Sequence, residues 1–208
     1  MVPTHARDRR RLALRETILE AAQTIVREDG LAALTIRRLA EAIDYSPAAL
    51  YAHFESREAL LAALCREGLT ALRVALEAAG ADVPEPRVRL LALARGYVRF
   101  ALERPDTYRL IFMENAALTK GVFESFESDD AARALGLLVA PFAELRAAKV
   151  LRKSANPARL ADLVWIVAHG IASLRLSCPA LPSTDDDTLV SIAIDAILDA
   201  WQTRTRIP

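Results

Sequence analysis

The side chains that most often carry out catalysis or bind metals are sparse in this sequence, which has three histidines and two cysteines. Cys65 and Cys178 are far apart and lack CxxC spacing, so they suggest neither a disulfide framework nor a zinc site. His53 has no second histidine, cysteine or carboxylate pair nearby to make it a metal ligand or a general base. The sequence also lacks GxSxG, P-loop and HExxH motifs. We therefore expect no enzyme activity, no metal and no cofactor.

Positive charge is concentrated at the N-terminus, although the formal net charge of the chain is zero. In the first fifteen residues only Asp8 opposes the arginines, which are Arg7, Arg9, Arg10, Arg11 and Arg15. A loose basic arm of this kind can lie along phosphates or enter a minor groove of DNA. The alternative is a solvated, frayed terminus, and the sequence leaves both possibilities open.

Helices must position these groups, because the apolar residues recur at spacings of three and four and glycine is scarce. This pattern predicts an all-α fold. The N-terminus lacks the apolar segment of a secretion signal, and no stretch of about 18 residues is free of charge and proline. We therefore expect a cytoplasmic protein with no membrane segment.

The first 80 residues predict four helices. Helix 1 ends at Gly30, a residue type that accepts a left-handed C-terminal position. The predicted N-caps of helices 2, 3 and 4 are Thr35, Ser46 and Ser56. Helix 4 continues to about Ala79, which makes it long enough to leave one domain and enter another. Helices 2 and 3 are short and joined by a tight turn, the geometry by which a recognition helix enters a major groove.

The residue pattern of this segment strengthens the prediction of a DNA-recognition helix. From Arg15 to Leu61 the chain reads RETILEAAQTIVREDGLAALTIRRLAEAIDYSPAALYAHFESREALL, which resembles the DNA-binding domain of the TetR family of bacterial repressors. The resemblance implies a helix-turn-helix domain with a basic arm over residues 1–56. It also implies a helical ligand-binding and dimerisation domain over residues 57–208, with about nine helices in all.

The same resemblance implies how individual residues contact double-stranded DNA. Phosphate contacts are expected from Thr35, Tyr51, His53 and Arg57. The residues expected to lie nearest the base edges follow Ser46 at the start of helix 3, and they are Pro47, Ala48 and Ala49. Arg37 and Arg38 can reach a phosphate or a base edge, or remain plain solvated surface. The predicted interface consists of Thr35, Arg37, Arg38, Ser46, Pro47, Ala48, Ala49, Tyr51, His53 and Arg57.

Two residues depart from the family pattern. Asp44 replaces the usual glycine of the turn, and aspartate adopts left-handed backbone angles more readily than most residues, so we expect the turn to survive. Arg57 stands where lysine is common. Both side chains are cationic at the start of helix 4, so a phosphate contact is expected to persist.

The C-terminal region offers weaker patterns. The segment from Trp165 to Gly170 resembles the subgroup whose C-terminal domain is named for a Trp-His-Gly signature. Aromatic residues gather in or near helices 5 to 8, and we expect some of them to line an apolar small-molecule site, with ordinary core packing as the alternative. The predicted ligand-binding set is Tyr97, Phe100, Phe112, Phe123, Trp165 and His169.

Helices 8 and 9 are apolar on two sides and need cover on both. Together with their copies in a second subunit they can form a four-helix interface, which is also the dimerisation mode that the resemblance implies. A charged residue at Ile171 or Ile194 is therefore expected to disrupt a homodimer.

The combined expectation is a homodimeric repressor that binds a two-fold-symmetric operator and releases it when a small-molecule effector binds the C-terminal domain. The alternative is a regulator of the same fold that acts as an activator or without direct DNA binding. The sequence identifies neither the effector nor the operator.

Overall fold

The computed structural model describes residues 4–113 and 129–203, in which the regular elements are helices apart from one isolated bridge between Leu151 and Gln202. The predicted all-α fold is therefore confirmed. A 3₁₀ turn spans Leu31–Ala33. The α-helices of the described residues are α1 Thr4–Asp29, α2 Ile36–Ala42, α3 Pro47–Tyr51, α4 Arg57–Gly80, α5 Pro86–Glu103, α6 Pro105–Phe112, α7 Asp129–Ala147, α8 Pro157–Ser177 and α9 Asp186–Trp201.

Helix starts lie where the capping residues predict them. The Thr35 hydroxyl accepts a hydrogen bond from the Arg38 amide at 3.1 Å, and the Ser56 hydroxyl accepts one from the Ala59 amide at 3.1 Å. Asn156 caps α8 in the same way. Each cap satisfies an amide that has no partner within its own helix, which is why these residue types set the helix boundaries.

The N-terminal arginines lie in a helix rather than in a loose arm. Helix α1 begins at Thr4, although residues 6–13 are exposed and burial begins only at Leu14. Arginine, alanine and leucine are good helix formers, so the helix extends beyond the part that packs on the core. Arg7, Arg9, Arg10 and Arg11 remain exposed on this extension.

The chain divides into two compact units. The first contains residues up to Gly68 and the segment that begins at Asp106, so it includes α1 to α3, the start of α4 and most of α6. Its core is apolar and includes Ile18, Ala22, Leu34, Leu39, Leu50, Phe54 and Leu60. Helix α4 is continuous and contributes residues to both units. The predicted functional boundary between residues 56 and 57 stays a prediction.

In the second unit α5 packs against α7, α8 and α9. The backbone of Gly96 lies so close to α4 that a Cβ atom built on it would be 2.8 Å from the Cβ of Ala79. Three arginine–aspartate pairs reinforce the contacts of α9, and they are Arg87–Asp195, Arg95–Asp187 and Arg175–Asp186.

Helix α8 is long and apolar enough to pass a length-and-composition test for crossing a membrane, with a mean hydropathy of 1.3 in its most apolar window. Apolar helices in the cores and interfaces of globular proteins pass the same test. Arg159, Asp162 and Arg175 lie within α8. This single helix is weak evidence for a membrane span.

Two helical glycines provide a matched test of the packing. Gly96→Ala is expected to destabilise the protein by about 1–3 kcal/mol, because the added methyl group overlaps that of Ala79 and forces the helices apart. Gly136→Ala places its methyl group in open space and is expected to stabilise α7 by up to about 1 kcal/mol. Urea unfolding of both variants measures the difference, and equal effects would contradict this packing.

Candidate nucleic-acid interface

Helix α3 has five residues and presents most of them outward. The Ser46 hydroxyl accepts a hydrogen bond from the Ala49 amide at 3.2 Å, and Pro47 occupies the first helical turn, where its missing N–H costs nothing. Leu50 is fully buried and anchors the helix. Pro47, Ala48 and Tyr51 are exposed and Ala49 is half-buried, so the helix offers the surface that the sequence predicts for base and phosphate contacts.

The turn between α2 and α3 keeps its shape without glycine. Asp44 has φ 57°, in the left-handed region, and the Tyr45 amide donates to the Ala40 carbonyl at 2.9 Å. This bond closes the C-terminus of α2 in the manner of a Schellman motif. The prediction that aspartate supports a left-handed turn here is confirmed.

Helix α2 and its N-cap carry further exposed residues of the predicted interface. Thr35 is exposed while it caps the helix. Arg37 pairs with Glu41 at 2.9 Å, and Arg38 pairs with Asp29. Exposed ion pairs of this kind contribute about 0–1 kcal/mol, so either arginine can exchange its carboxylate for a phosphate at little cost.

His53 lies directly after α3 and is half-buried. Burial lowers the pKa of its imidazole, and the charges of Arg11 and Arg15 lower it further. The side chain is therefore mainly neutral near pH 7 in the free protein and can donate a hydrogen bond through one ring N–H.

Arg15 holds this region against α1. Its guanidinium donates to the His53 carbonyl at 3.2 Å and lies 4.2 Å from the centre of the Phe54 ring. The sequence placed Arg15 with the basic arm, whereas the structure gives it a cation–π contact and a backbone hydrogen bond within the first unit. The long-range contact joins residues 38 positions apart, which no local pattern predicts.

Arg57 is likewise engaged with the backbone. Its Nε donates to the Leu34 carbonyl at 2.7 Å and its Nη2 donates to the Leu31 carbonyl at 2.9 Å. The sequence did not predict these contacts, and a phosphate contact by Arg57 stays a prediction. Sequence reasoning also passed over Tyr45, which is 48% exposed in the turn before α3. The sequence signal for an exposed side chain here is a large aromatic residue beside the N-cap Ser46. Leu39 and Leu50 already fill the core on either side of it.

The structure brings together three of the predicted ligand-binding residues. The Trp165 indole N–H donates to the Tyr97 hydroxyl at 3.3 Å, and that hydroxyl lies 3.1 Å from Nδ1 of His169. Burial lowers the pKa of His169, which favours a neutral ring at this position. Tyr97 is buried and Trp165 is 37% exposed, so the cluster connects the core of the second unit with its surface.

Phe100 and Phe112, two further residues of the predicted ligand-binding set, make other ring contacts. Phe100 is buried, with the Arg104 guanidinium 5.8 Å from its ring centre. Phe112 is half-buried in α6, which belongs to the first unit, and packs its ring 5.1 Å from that of Tyr108. Phe123 lies outside the described residues.

An open cleft of about 480 Å³ lies elsewhere in the second unit, between the end of α4, α5 and α7. None of the five predicted ligand-binding residues that the structure describes lines it. Its walls combine small and apolar residues with two guanidinium groups, and they consist of Glu77, Gly80, Ala81, Arg89, Leu93, Arg133, Gly136, Leu137 and Ala140.

Both parts of the chain match protein-family models. Residues 18–64 match the model described as bacterial regulatory proteins, tetR family. Residues 90–197 match the model described as tetracyclin repressor-like, C-terminal domain. The assignment to the Trp-His-Gly subgroup is not confirmed by these matches.

Individual proteins resemble the chain over most of its length. It is 27% identical over 190 residues to the nucleoid occlusion factor SlmA of Marinobacter nauticus, covering 88% of this chain and 95% of that protein. A solved structure of a protein with unknown function from Rhodococcus matches with a TM-score of 0.75 and 30% identity, covering 91% of this chain and 96% of that one. A TetR family transcription regulator from Marinobacter aquaeolei matches with a TM-score of 0.65 and 24% identity, covering 97% and 100%. The last match supports the fold alone.

Proposed function

We propose, because this chain belongs to the TetR family of bacterial regulatory proteins, that it is a cytoplasmic, ligand-responsive repressor that binds a two-fold-symmetric operator as a dimer. The matched family model describes bacterial regulatory proteins rather than enzymes. The observation that carries the proposal is the intact recognition helix, with Ser46 capping it and Leu50 anchoring it while Pro47, Ala48 and Tyr51 are exposed.

A footprint of the purified protein on intergenic DNA beside its gene tests DNA binding directly. We expect protection of two half-sites about one helical turn apart, roughly 34 Å, because a dimer presents two recognition helices to one face of the duplex. A reporter placed behind the protected site then separates the modes of action. Lower expression supports a repressor, and higher expression identifies an activator.

The proposed DNA contacts follow the chemistry of the exposed groups. Hydroxyl and imidazole donors at Thr35, Tyr51 and His53 suit phosphate oxygens, which position a protein without reading sequence. The small side chains of Pro47, Ala48 and Ala49 suit close approach to base edges and thymine methyl groups. Arg37 and Arg38 add charge that their weak surface ion pairs leave available.

The proposed dimer uses the outer faces of α8 and α9. Leu163, Ile166 and Leu174 follow a helical spacing along α8, and each is at least 44% exposed. Ile192 on α9 is 60% exposed. An apolar surface of this kind is typical of an interface between subunits.

The residues predicted to report on the dimer require a correction. Ile171 and Ile194 are buried within the protomer, with exposed fractions of 6% and 1%. A charge there would disrupt the fold of one subunit rather than the contact between two. The helical pattern showed that both sides of α8 and α9 are apolar, but it did not show which side packs on α5.

The proposed effector site is the cleft beside the end of α4. Its volume lies in the range of small-molecule sites, and its lining is largely apolar. Because α4 is one continuous helix from Arg57 to Gly80, a ligand that shifts its far end also shifts the end that follows α3. Such a ligand weakens operator binding by its difference in affinity for the two states. The cluster of Tyr97, Trp165 and His169 is a second candidate site for the effector. Trp165 and His169 belong to the segment that resembles the Trp-His-Gly signature.

Substitutions in α3 are expected to separate positioning from sequence reading. Tyr51→Phe removes a hydroxyl donor and should weaken binding to all DNA sequences about equally, by about 1–2 kcal/mol. Ala48→Leu should instead change which operator is preferred. Titration of a small operator library measures both effects. A Tyr51→Phe variant with altered sequence preference would contradict the assigned roles.

His53 is expected to make operator binding depend on pH. Its pKa is lowered in the free protein, and a bound phosphate favours the imidazolium, so binding takes up a proton and strengthens as pH falls from about 7.5 to about 5.5. His53→Gln should lose this dependence, while the control His169→Gln, in the second unit, should keep it. Binding of the wild-type protein that weakens over this range would exclude the mechanism.

Charges on the exposed faces of α8 and α9 are expected to produce folded monomers. Ile166→Glu and Ile192→Glu place a carboxylate at an apolar interface without disturbing the core of a subunit, since both side chains are about 60% exposed. Val88→Glu on α5, where the native residue is 47% exposed, is the matched control and should leave the dimer intact. Sedimentation at micromolar concentration gives the result, and a wild-type monomer would rule out the dimer.

Filling the cleft is expected to block induction without affecting DNA binding. Gly136→Leu projects a side chain into space that is empty around this residue, so the fold tolerates it while the cleft loses volume. Ala132→Leu, one turn earlier on α7 and exposed, is the control. Compounds that raise the melting temperature of the wild type should no longer raise that of Gly136→Leu or release this variant from the operator. They should act on Ala132→Leu as they do on the wild type. Unchanged binding would place the effector elsewhere.

A further inference from the structure

The guanidinium of Arg57 joins two elements that are far apart in the sequence. Arg57 is the first residue of α4, and its two hydrogen bonds reach the carbonyls of Leu34 and Leu31, 23 and 26 residues earlier. Those carbonyls belong to the 3₁₀ turn and to the residue that ends it, immediately before Thr35 caps α2. The Leu31 carbonyl already accepts the Leu34 amide at 3.2 Å, so Arg57 gives it a second donor and also donates to the Leu34 carbonyl, which follows the turn.

We propose that Arg57 is a positioning residue that fixes the start of α2 to the start of α4, so that the DNA-contacting helices follow the movement of α4. This inference rests on the proposed function, because it concerns how a shift of α4 reaches the operator. It gives Arg57 a different role from the phosphate contact that the sequence predicts.

The chemistry of arginine suits this role and that of lysine does not. Nε and Nη2 belong to one rigid plane, so two carbonyls bound to them are held in a fixed relation. An ammonium group on a flexible stem is a single point of positive charge and does not impose that geometry. A lysine at position 57 would keep the charge but not this connection.

The link has a defined consequence for α2. The Leu34 peptide leads directly into Thr35, whose hydroxyl accepts from the Arg38 amide, and the Leu39 amide donates to the Thr35 carbonyl at 2.9 Å. Loss of the fork therefore frees the first turn of α2 before it affects any other helix. Helix α3 follows through the Asp44 turn, so the recognition surface loses its fixed position as well.

Two substitutions of Arg57 distinguish the two roles. If Arg57 instead binds a phosphate, Arg57→Lys keeps that contact and Arg57→Ala loses it. The loss reduces the magnitude of the slope of log affinity against log salt by about 0.9. A positioning fork is lost in both variants. Both should therefore bind the operator about tenfold more weakly, and the salt slope should stay that of the wild type. Arg27→Lys, which keeps the charge of an exposed arginine on α1 outside the predicted interface, is the control and should bind as the wild type does.

Hydrogen exchange on the free protein provides a readout that needs no DNA. In Arg57→Lys the amides of Arg38 and Leu39 should exchange faster, while those in the middle of α8 keep their protection, which shows that the rest of the chain stays folded. Unchanged exchange at Arg38 and Leu39 overturns the inference. It is also overturned if Arg57→Lys binds with wild-type affinity and only Arg57→Ala has a reduced salt slope. If the wild-type protein binds no DNA, the proposed function fails and the exchange data alone decide whether the fork exists.

Discussion

The candidate DNA interface depends on the burial of Leu50. Helix α3 has five residues, which is far too short for a helix to be stable by its own hydrogen bonds. Leu50 and Phe54 are buried and hold the helix and the residues after it on the core, while Ser46 satisfies its first turn. The exposed side chains of Ala48 and Tyr51 are placed by this anchor, so the surface proposed to read DNA is set by apolar packing on its opposite side.

Arginines serve two physically different purposes around this helix. Arg15 and Arg57 donate to backbone carbonyls and tie α1 and α4 to the segment that contains α2 and α3. Arg37 and Arg38 instead form exposed ion pairs with carboxylates, which a phosphate can replace because such pairs contribute little to stability. A formal net charge of zero is therefore compatible with DNA binding, since the relevant charge is local.

The second unit buries one face of α8 and one face of α9, and it leaves exposed the faces that we propose for dimerisation. One face of α8 and one of α9 are buried, through residues such as Val164 and Ile194, while Ile166 and Ile192 lie on the outside. The ion pairs between α5 and α9 add geometry to an otherwise apolar contact. The small residues around the open cleft leave room beside α4, the helix that is shared with the first unit.

The sequence by itself determined the starts of α2, α3 and α4, the left-handed turn at Asp44 and the helix-turn-helix assignment, because N-capping, the backbone preference of aspartate and apolar spacing act over a few residues. Only the tertiary structure decided that Arg57 donates to Leu31 and Leu34, that Gly96 faces a methyl group while Gly136 faces open space, and that Ile194 is buried while Ile192 is exposed. It also showed that the basic arm is helical from Thr4. The contacts of Arg57, Gly96 and Ile194 join residues distant in sequence, and helical periodicity does not specify which face of a doubly apolar helix meets its neighbour.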